Sequence, residues 1–280
     1  MKTIKTETIT NEVKRLCIEA CTYIPNDVLS KIKECKENEA GLSKNILEQI
    51  IKNDNLAKDE NIPMCQDTGI TIVFVEIGNE VYIDGDLNKA INDGVALGYT
   101  EGYLRKSVVK SPLNRVNTKD NTPAIIHIKF TVGDKLKITV CPKGAGSENM
   151  SKVKMLIPAD GINGIKDFVK NTIIEAGGRA CPPLVVGVGI GGNLEKSALL
   201  AKEALTRDID DEATDLDALK LEKELLKEIN ELNIGPMGLG GKTTALAVKV
   251  NLYPCHIASL PVAVNIQCHA SRHKVVELWK

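Results

Sequence analysis

The sequence predicts an α/β fold with mixed β-sheets and surrounding helices. Along the 280 residues, apolar residues at helical spacing alternate with short continuous apolar runs, which is typical of sheets covered by helices. Hydrophobic residues make up 43% of the chain and charged residues 26%, as in an ordinary globular protein with a sizeable core. A length of 280 residues allows one large domain or two small ones, and since no low-complexity linker divides the chain, we expect one domain over residues 1–280.

The charge balance excludes several kinds of partner. Lys and Arg number 36 against 37 Asp and Glu, a net charge of −1, so neither nucleic acid nor an anionic membrane surface is indicated. Residues 1–11 lack the apolar core of a signal peptide, and no apolar run reaches membrane-spanning length, which favours a cytoplasmic protein. In that compartment the eight cysteines stay reduced and are available for metal binding or catalysis.

Three amphipathic helices open the chain. Their apolar residues recur at helical spacing over residues 9–24, 28–35 and 42–51. Cys17, Cys21 and Cys35 lie on these apolar faces, so we interpret them as small core residues.

The first candidate site is the loop of residues 62–69, with the sequence IPMCQDTG. It sets a thiol, an amide, a carboxylate and a hydroxyl side by side without a helical or strand period, and a buried strand over residues 70–77 follows it. A reactive loop fixed to a rigid strand is a common way to build a site. The alternative interpretation is a small buried cysteine followed by a simple turn.

Strands and helices alternate beyond this loop. A strand at 81–83 is predicted to form a hairpin with 70–77 across Gly78-Asn79, and Asp86 can cap a helix that runs toward Arg105. Residues 107–123 form a long polar loop, which is often functional at such lengths. The remaining predicted elements are strands at 124–132, 136–141, 153–157, 184–188, 245–252 and 257–266 and helices at 161–176, 193–206 and 214–232.

Two glycine-rich segments imitate nucleotide-binding motifs. Residues 187–192 match G-x-G-x-x-G between a strand and a helix, but a second helix follows where a ribose-binding strand is required. Residues 240–243 end like a P-loop, yet Pro236 stands where its first glycine belongs and a charged helix precedes it. A nucleotide-binding module through residues 187–192 is kept as a minor hypothesis.

Five cysteines lie in loops or at strand ends, from where thiolates can converge, and these are Cys65, Cys141, Cys181, Cys255 and Cys268. Cys141 and Cys181 each precede a proline, a step seen beside iron–sulfur ligands. Residue chemistry alone does not choose among the five.

Four ordered motifs resemble those of class I, iron–sulfur-dependent fumarate hydratases. The motifs are PMCQDTG at 63–69, KGAGSEN at 143–149, CPP at 181–183 with the glycines of 187–192, and Cys268. The resemblance covers nearly the whole chain. Within the family, the chain most resembles the separate α subunit of the two-subunit fumarase and L-tartrate dehydratase group. It implies the fold of the N-terminal domain of single-chain members. It also implies reversible hydration of fumarate to (S)-malate, or dehydration of tartrate to oxaloacetate.

The resemblance further implies a cofactor. Cys65, Cys181 and Cys268 would hold a 4Fe–4S cluster, while Cys141 and Cys255 would be structural. Three protein ligands for four irons leave one iron open to act as a Lewis acid on substrate. An iron–sulfur electron carrier or sensor is the rival class, and the substrate-type residues of the chain count against it.

The same resemblance assigns substrate residues. Gln66 would be a substrate-contacting amide and Asp67 a carboxylate for substrate handling and proton transfer, which makes these two the catalytic candidates. Arg105 would grip a substrate carboxylate with its planar fork. Gly146 would bring backbone close to the substrate, and His256 would contact it.

A partner chain is the last implication. Single-chain members continue into a further domain that brings cationic and hydroxyl residues to the site, whereas this sequence ends at Trp279-Lys280. We therefore expect a separate β subunit to complete the site, in an assembly with two copies of each chain.

Overall fold

A computed structural model describes residues 2–278, which divide into two compact units. The first unit comprises residues 2–24, 53–145 and 272–278, and the second comprises residues 25–52 and 146–271. One domain over residues 1–280 stays a prediction, and its ends, Met1, Trp279 and Lys280, lie outside the described residues. Among residues 2–278, no helix is both long enough and apolar enough to cross a bilayer.

Helices and mixed sheets confirm the predicted α/β class. The strands are β1 (Lys2–Lys5), β2 (Ile70–Gly78), β3 (Val81–Asp84), β4 (Ile125–Thr131), β5 (Leu136–Lys143), β6 (Lys152–Leu156), β7 (Leu184–Gly192), β8 (Ala245–Cys255), β9 (Leu260–Gln267) and β10 (Lys274–Leu278). The helices are α1 (Thr6–Thr22), α2 (Asn26–Glu37), α3 (Gly41–Asp59), α4 (Leu87–Glu101), α5 (Ala145–Glu148), α6 (Gly161–Ala176), α7 (Leu194–Ala204) and α8 (Leu216–Asn230).

The first unit contains a sheet of strand order β10-β5-β2-β4. In this sheet β2 is parallel to β4 and antiparallel to β5, and β5 is antiparallel to β10. Helix α1 packs closely on α4 because α4 carries glycines at the contact. A Cβ added at Gly94 would lie 2.7 Å from the carbonyl oxygen of Thr10, and one added at Gly98 would lie 2.9 Å from the Cβ of Cys17.

The predicted hairpin between 70–77 and 81–83 is wrong. Strand β3 pairs in parallel with β1 instead, with Ile83 opposite Ile4. The pairing buries the Ile4 side chain in the core of the first unit, a gain in apolar burial that the hairpin interpretation left out. Strand β1 was not predicted, because a short segment of Lys, Thr and Ile carries little periodic signal.

The second unit is built on a sheet of strand order β6-β9-β7-β8, in which β7 runs parallel to β8 and antiparallel to β9. Strand β7 is almost fully buried, and Val186, Val188 and Ile190 belong to the apolar core of this unit. The glycines that imitate a dinucleotide motif have a packing role here. A Cβ at Gly189 would lie 2.1 Å from the carbonyl oxygen of Ser197, so glycine lets helix α7 approach the strand.

Candidate functional site

The loop of residues 62–69, called here the Cys65 loop, is anchored at Met64. The Met64 amide donates to the carbonyl of Cys21 at 2.9 Å, and its carbonyl accepts from the Asn53 side chain at 2.8 Å. The Met64 side chain is buried, whereas Cys65 is half-buried and Gln66 is exposed. Met64 is therefore held in place, and the side chains of Cys65 and Gln66 that follow it are accessible to solvent. The Cys65 thiol lies 3.7 Å from the Gln66 side-chain oxygen.

The Asp67 carboxylate is held by backbone amides. Its Oδ1 accepts from the amide of Gly69 at 3.1 Å, and its Oδ2 accepts from the amide of Ala145 at 2.8 Å. The Asp67 carbonyl accepts from the guanidinium of Arg272, which also donates to the carbonyl of Pro142 at 3.3 Å. Since Arg272 is only 4% exposed, this part of the loop is fixed by interior contacts.

Gly69 ends the loop in a conformation that favours glycine. Its φ is +74°, in the left-handed region. A Cβ at this position would lie 2.3 Å from both the carbonyl carbon and the carbonyl oxygen of Lys143, which stands opposite Ile70 in the β2–β5 pair. A side chain at position 69 would therefore push the Cys65 loop away from the sheet.

Arg105 is joined to the Cys65 loop through its backbone. Its carbonyl accepts from the Oγ1 of Thr68 at 3.0 Å, and the Tyr99 hydroxyl donates to the Thr68 carbonyl at 2.7 Å. Burial raises the pKa of Tyr99 well above its usual value, so the hydroxyl keeps its proton and stays a donor. The guanidinium of Arg105 is left exposed. The first unit thus places the backbone of Arg105 against the loop that carries Cys65, Gln66 and Asp67.

Two cysteines near the Cys65 loop are core residues, as predicted. Cys17 and Cys21 are fully buried on helix α1. Burial raises the pKa of the Cys21 thiol to about 11 and raises that of Cys17 further, so both keep their protons at neutral pH. Cys35 is half-buried, and burial raises its pKa as well. Protonated, buried thiols are poor metal ligands.

Cys181 and Cys268 lie on adjoining loops of the second unit. The amide of His269 donates to the carbonyl of Cys181 at 3.2 Å, so the residue after Cys268 is bonded directly to Cys181. Cys181 follows the 3-10 turn Gly177–Ala180 with a φ of +54° and is exposed, and Cys268 is half-buried. Two of the three predicted cluster ligands are therefore neighbours in this unit.

The 3-10 turn Pro236–Gly238, which precedes the segment that imitates a P-loop, contacts the Cys181 loop. The amide of Met237 donates to the carbonyl of Pro182 at 2.8 Å. A Cβ at Gly178 would lie 2.7 Å from the carbonyl oxygen of Met237, so the two turns touch through their backbones. A Cβ at Gly238 would lie 2.5 Å from the Cα of Gly178, so glycine at position 238 allows this close approach.

Gly146 lies beside the same loop. It is exposed, and a Cβ added there would meet the carbonyl oxygen of Arg179 at 3.5 Å, an ordinary contact. The turn is held from the other side by Glu148, which accepts from Lys202 and, at 2.9 Å, from the side chain of Asn265. The backbone at Gly146 is thus exposed, and the Glu148 carboxylate two residues later holds the turn in place.

His256 lies in the connection between β8 and β9 and is exposed. Its Nδ1 accepts from the amide of Ala258 at 3.1 Å, so we assign the proton of the neutral ring to Nε2. The residue also lines an apolar pocket of about 600 Å³ together with Ile162, Leu252 and Ile257. Its placement beside the predicted substrate stays a prediction.

The three predicted cluster ligands, Cys65, Cys181 and Cys268, are divided between the two units. Among residues 2–278, no three His, Cys, Asp or Glu side chains are grouped so that they could hold a metal ion. Cys65 belongs to the first unit, and Cys181 and Cys268 belong to the second. Each of the three is outside any disulfide, lies in a loop and is partly or fully exposed, which suits a soft-metal thiolate. The donor types fit the cluster, and the joint ligand set stays a prediction.

Two residues that hold the Cys65 loop, Tyr99 and Arg272, were not found from the sequence, whereas Thr68 belongs to the candidate loop itself. Thr68, Tyr99 and Arg272 fix the Cys65 loop by hydrogen bonds to main-chain carbonyls. Tyr99 reads as one more apolar position of a helix, and Arg272 reads as an ordinary charged residue. No local pattern separates them from core or surface residues.

Comparison with known proteins places the chain among enzymes. The family model described as fumarate hydratase (Fumerase) matches residues 10–277. A protein of Methanocaldococcus jannaschii, provisionally named L(+)-tartrate dehydratase subunit alpha, is 46% identical over 275 residues, which cover 95% of this chain and 96% of the relative. L(+)-tartrate dehydratase subunit alpha of Escherichia coli strain UTI89 is 33% identical over 256 residues, covering 90% and 84%. The protein of the same name from strain K12 is 32% identical over the same length.

Proposed function

The chain belongs to the fumarate hydratase family, and from this premise we propose that it is the α subunit of a hydro-lyase acting on a C4 dicarboxylate. Reversible hydration of fumarate to (S)-malate is the first candidate reaction. Dehydration of L-tartrate to oxaloacetate is the second candidate. It is favoured by the names of the relatives, whose alignments with this chain cover at least 84% of each relative's length.

The observation that carries the proposal is the joining of Arg105 to the Cys65 loop. The Thr68 hydroxyl bonds the Arg105 carbonyl, and two backbone amides orient the Asp67 carboxylate. A cationic fork and a fixed carboxylate on adjacent segments are the groups needed to bind one end of a dicarboxylate and to handle a proton at a neighbouring carbon.

In the proposed reaction, Arg105 binds one substrate carboxylate through parallel N–H donors. Gln66, exposed beside Cys65, offers both a donor and an acceptor to the substrate. Asp67 holds or receives a proton at its carboxylate, and the Gly69 and Ala145 amides keep that group in one orientation. His256 offers its Nε2 proton, and Gly146 allows close approach of the backbone.

A 4Fe–4S cluster is the proposed cofactor, held by Cys65, Cys181 and Cys268 on the strength of the family resemblance. When bound, it would supply an iron with an open position that acts as a Lewis acid. The matched test is Cys181→Ser against Cys255→Ser, since both cysteines are exposed and lie in the second unit. Iron and acid-labile sulfide should be lost from the first variant only. Full cluster content in Cys181→Ser would remove this residue from the ligand set.

A β subunit is the proposed partner, in an assembly with two copies of each chain. The relatives carry the name subunit alpha, which supports a second polypeptide. A dicarboxylate also brings two negative charges, and the reaction develops more, so several aligned donors are required. Arg105, Gln66, His256 and the Gly146 turn offer few of them.

The experiment is anaerobic reconstitution of the cluster, followed by assays of fumarate hydration and L-tartrate dehydration with and without the candidate β chain. Turnover that requires both chains supports the proposal, and the ratio of kcat/KM for the two acids identifies the substrate. Substantial turnover by the lone chain would refute the need for a partner. An inert two-chain preparation with full iron content would refute the hydro-lyase function.

A further inference from the structure

Asn121 joins two segments of the first unit by hydrogen bonds. Its side chain is 0% exposed, and its Nδ2 donates to the carbonyl of Gly69 at 3.1 Å. Its Oδ1 accepts from the amide of Ser107 at 2.7 Å and from the amide of Val108 at 3.2 Å. A buried amide with three main-chain bonds is a rigid link.

The two linked segments carry the candidate substrate residues of this unit. Gly69 lies two residues after Asp67, and its own amide donates to the Asp67 carboxylate. Ser107 lies two residues after Arg105. The Asn121 side chain therefore spans from the turn that orients the carboxylate to the segment that carries the guanidinium.

The conformation and chemistry of position 121 both suit Asn. Its φ is +64°, in the left-handed region that Asn and Asp tolerate better than most residues. The link needs an acceptor for two amides and a donor for one carbonyl on a short side chain, which an Asn amide provides. Aspartate keeps the conformation and the acceptor but lacks the N–H donor, so Asn121→Asp removes the bond to Gly69.

We propose that Asn121 is a positioning residue that fixes the distance between the Arg105 guanidinium and the Asp67 carboxylate. This inference rests on the proposed function, in which Arg105 binds one carboxylate of a C4 diacid and Asp67 handles a proton at the reacting carbons. Without the bond to Gly69, the two segments shift relative to each other. A misplacement on the order of 1 Å in a site can cost about a hundredfold in rate.

The matched control is Asn230→Asp in the second unit. The Asn230 Oδ1 accepts from the amides of Thr244 and Ala245, both at 2.8 Å, and its Nδ2 donates to the carbonyl of Ala245 at 3.2 Å. The pattern of two accepted amides and one bonded carbonyl is the same as at Asn121. Each substitution removes one donor and adds one carboxylate, so a general effect of such a change appears in both variants.

The first measurement needs no turnover. Hydrogen exchange of the Gly69 and Ala145 amides reports on Asp67, because both amides donate to its carboxylate. In Asn121→Asp we expect these amides to exchange faster, by about tenfold if the local opening changes by the worth of one hydrogen bond. Asn230→Asp should leave them unchanged. Wild-type exchange in Asn121→Asp would overturn the inference.

The second measurement is kinetic, on the holoenzyme with its partner chain. In Asn121→Asp, kcat/KM should fall about ten- to a hundredfold, while Asn230→Asp stays near wild type. If Asn121 acts through Arg105, the double variant with Arg105→Lys loses little more than Arg105→Lys alone. Losses that simply multiply would overturn the positioning role.

Thr68→Val is a second variant that tests the inference if Asn121→Asp does not fold. Thr68 is 1% exposed, and Thr68→Val removes the bond to the Arg105 carbonyl without adding charge, so it replaces Asn121→Asp if that variant does not fold. Its expected effect on kcat/KM has the same direction, and wild-type kinetics would count against the inference. If the wild-type enzyme converts neither fumarate nor L-tartrate, the proposed function fails. The exchange of the Gly69 amide then decides the inference by itself.

Discussion

Replacing Arg105 by Lys separates the planar fork of the guanidinium from its positive charge. The backbone at this position is held independently of the side chain, because the Arg105 carbonyl accepts from Thr68 and the amide of Leu104 donates to the carbonyl of Tyr99 at 3.1 Å. The side chain is exposed, so the substitution should change stability by less than about 0.5 kcal/mol. Any kinetic change then reports on the guanidinium.

The size of that change follows from the bonds available to each side chain. A guanidinium can make two parallel bonds to a carboxylate, and an ammonium keeps the charge without the paired geometry. Loss of one charge-assisted hydrogen bond costs about 1.5–3 kcal/mol. Since about 1.4 kcal/mol is a factor of ten, kcat/KM should fall roughly 10- to 160-fold.

The assay is steady-state hydration of fumarate and dehydration of L-tartrate by the two-chain holoenzyme, with thermal unfolding measured beside it. Arg115→Lys is the control, because Arg115 is exposed in the long loop of residues 107–123 that follows Arg105. Its guanidinium donates to the nearby carbonyl of Pro112 at 3.5 Å. The control should keep wild-type kinetics. Wild-type kcat/KM in Arg105→Lys would refute the carboxylate-binding role and make Arg105 a solvated residue after a helix end.

Three further predictions concern stability and the cofactor. Gly69→Ala should cost about 2–5 kcal/mol in urea unfolding, because left-handed strain adds to overlap with Lys143. Gly41→Ala, at φ +58° and with no described atom outside its own stretch of chain within 4 Å of the added Cβ, should cost only about 1–2 kcal/mol, and equal costs would contradict the overlap. Burial raises the pKa of Asp54, which is 2% exposed, to about 6. The folded protein is therefore most stable while Asp54 is protonated, below about pH 4, and it loses stability as the pH rises through 6. Asp54→Asn should be more stable than wild type at pH 7 by on the order of 1–3 kcal/mol, with no gain at pH 4. Activity should decay in air and return with iron and reductant, because an open iron is accessible to oxidants; an air-stable enzyme without iron would contradict the cofactor.

Local apolar patterns predicted many of the helices and strands. The buried run that follows the Cys65 loop forms β2, and the predicted helices over 9–24 and 161–176 are found as α1 and α6. Pairing between distant segments was not predicted, because it depends on which faces meet in the core. Strand β3 looks like a hairpin partner by sequence distance, yet it pairs with β1. Strand β10, of sequence KVVEL, is short and gave no signal beside the cysteine and histidine residues before it.

For the candidate site, the sequence identified the groups that carry chemistry but not the groups that hold them. The thiol, amide and carboxylate of the Cys65 loop are recognisable because their order resembles a family motif. Asn121 and Arg272 act through hydrogen bonds to the carbonyls of Gly69 and Asp67, which lie 52 and 205 residues away along the chain. Such contacts exist only once the fold brings the segments together, so no spacing rule predicts them.

Proton NMR of fumarate and of L-tartrate in D₂O, with the anaerobically reconstituted chain and its partner, is the most direct test of the hydro-lyase function. We predict that fumarate is converted to malate carrying one deuterium on carbon, or that L-tartrate is converted to oxaloacetate, and that Cys181→Ser abolishes either conversion. A two-chain preparation with full iron and sulfide content that leaves both acids unchanged would contradict the proposed function.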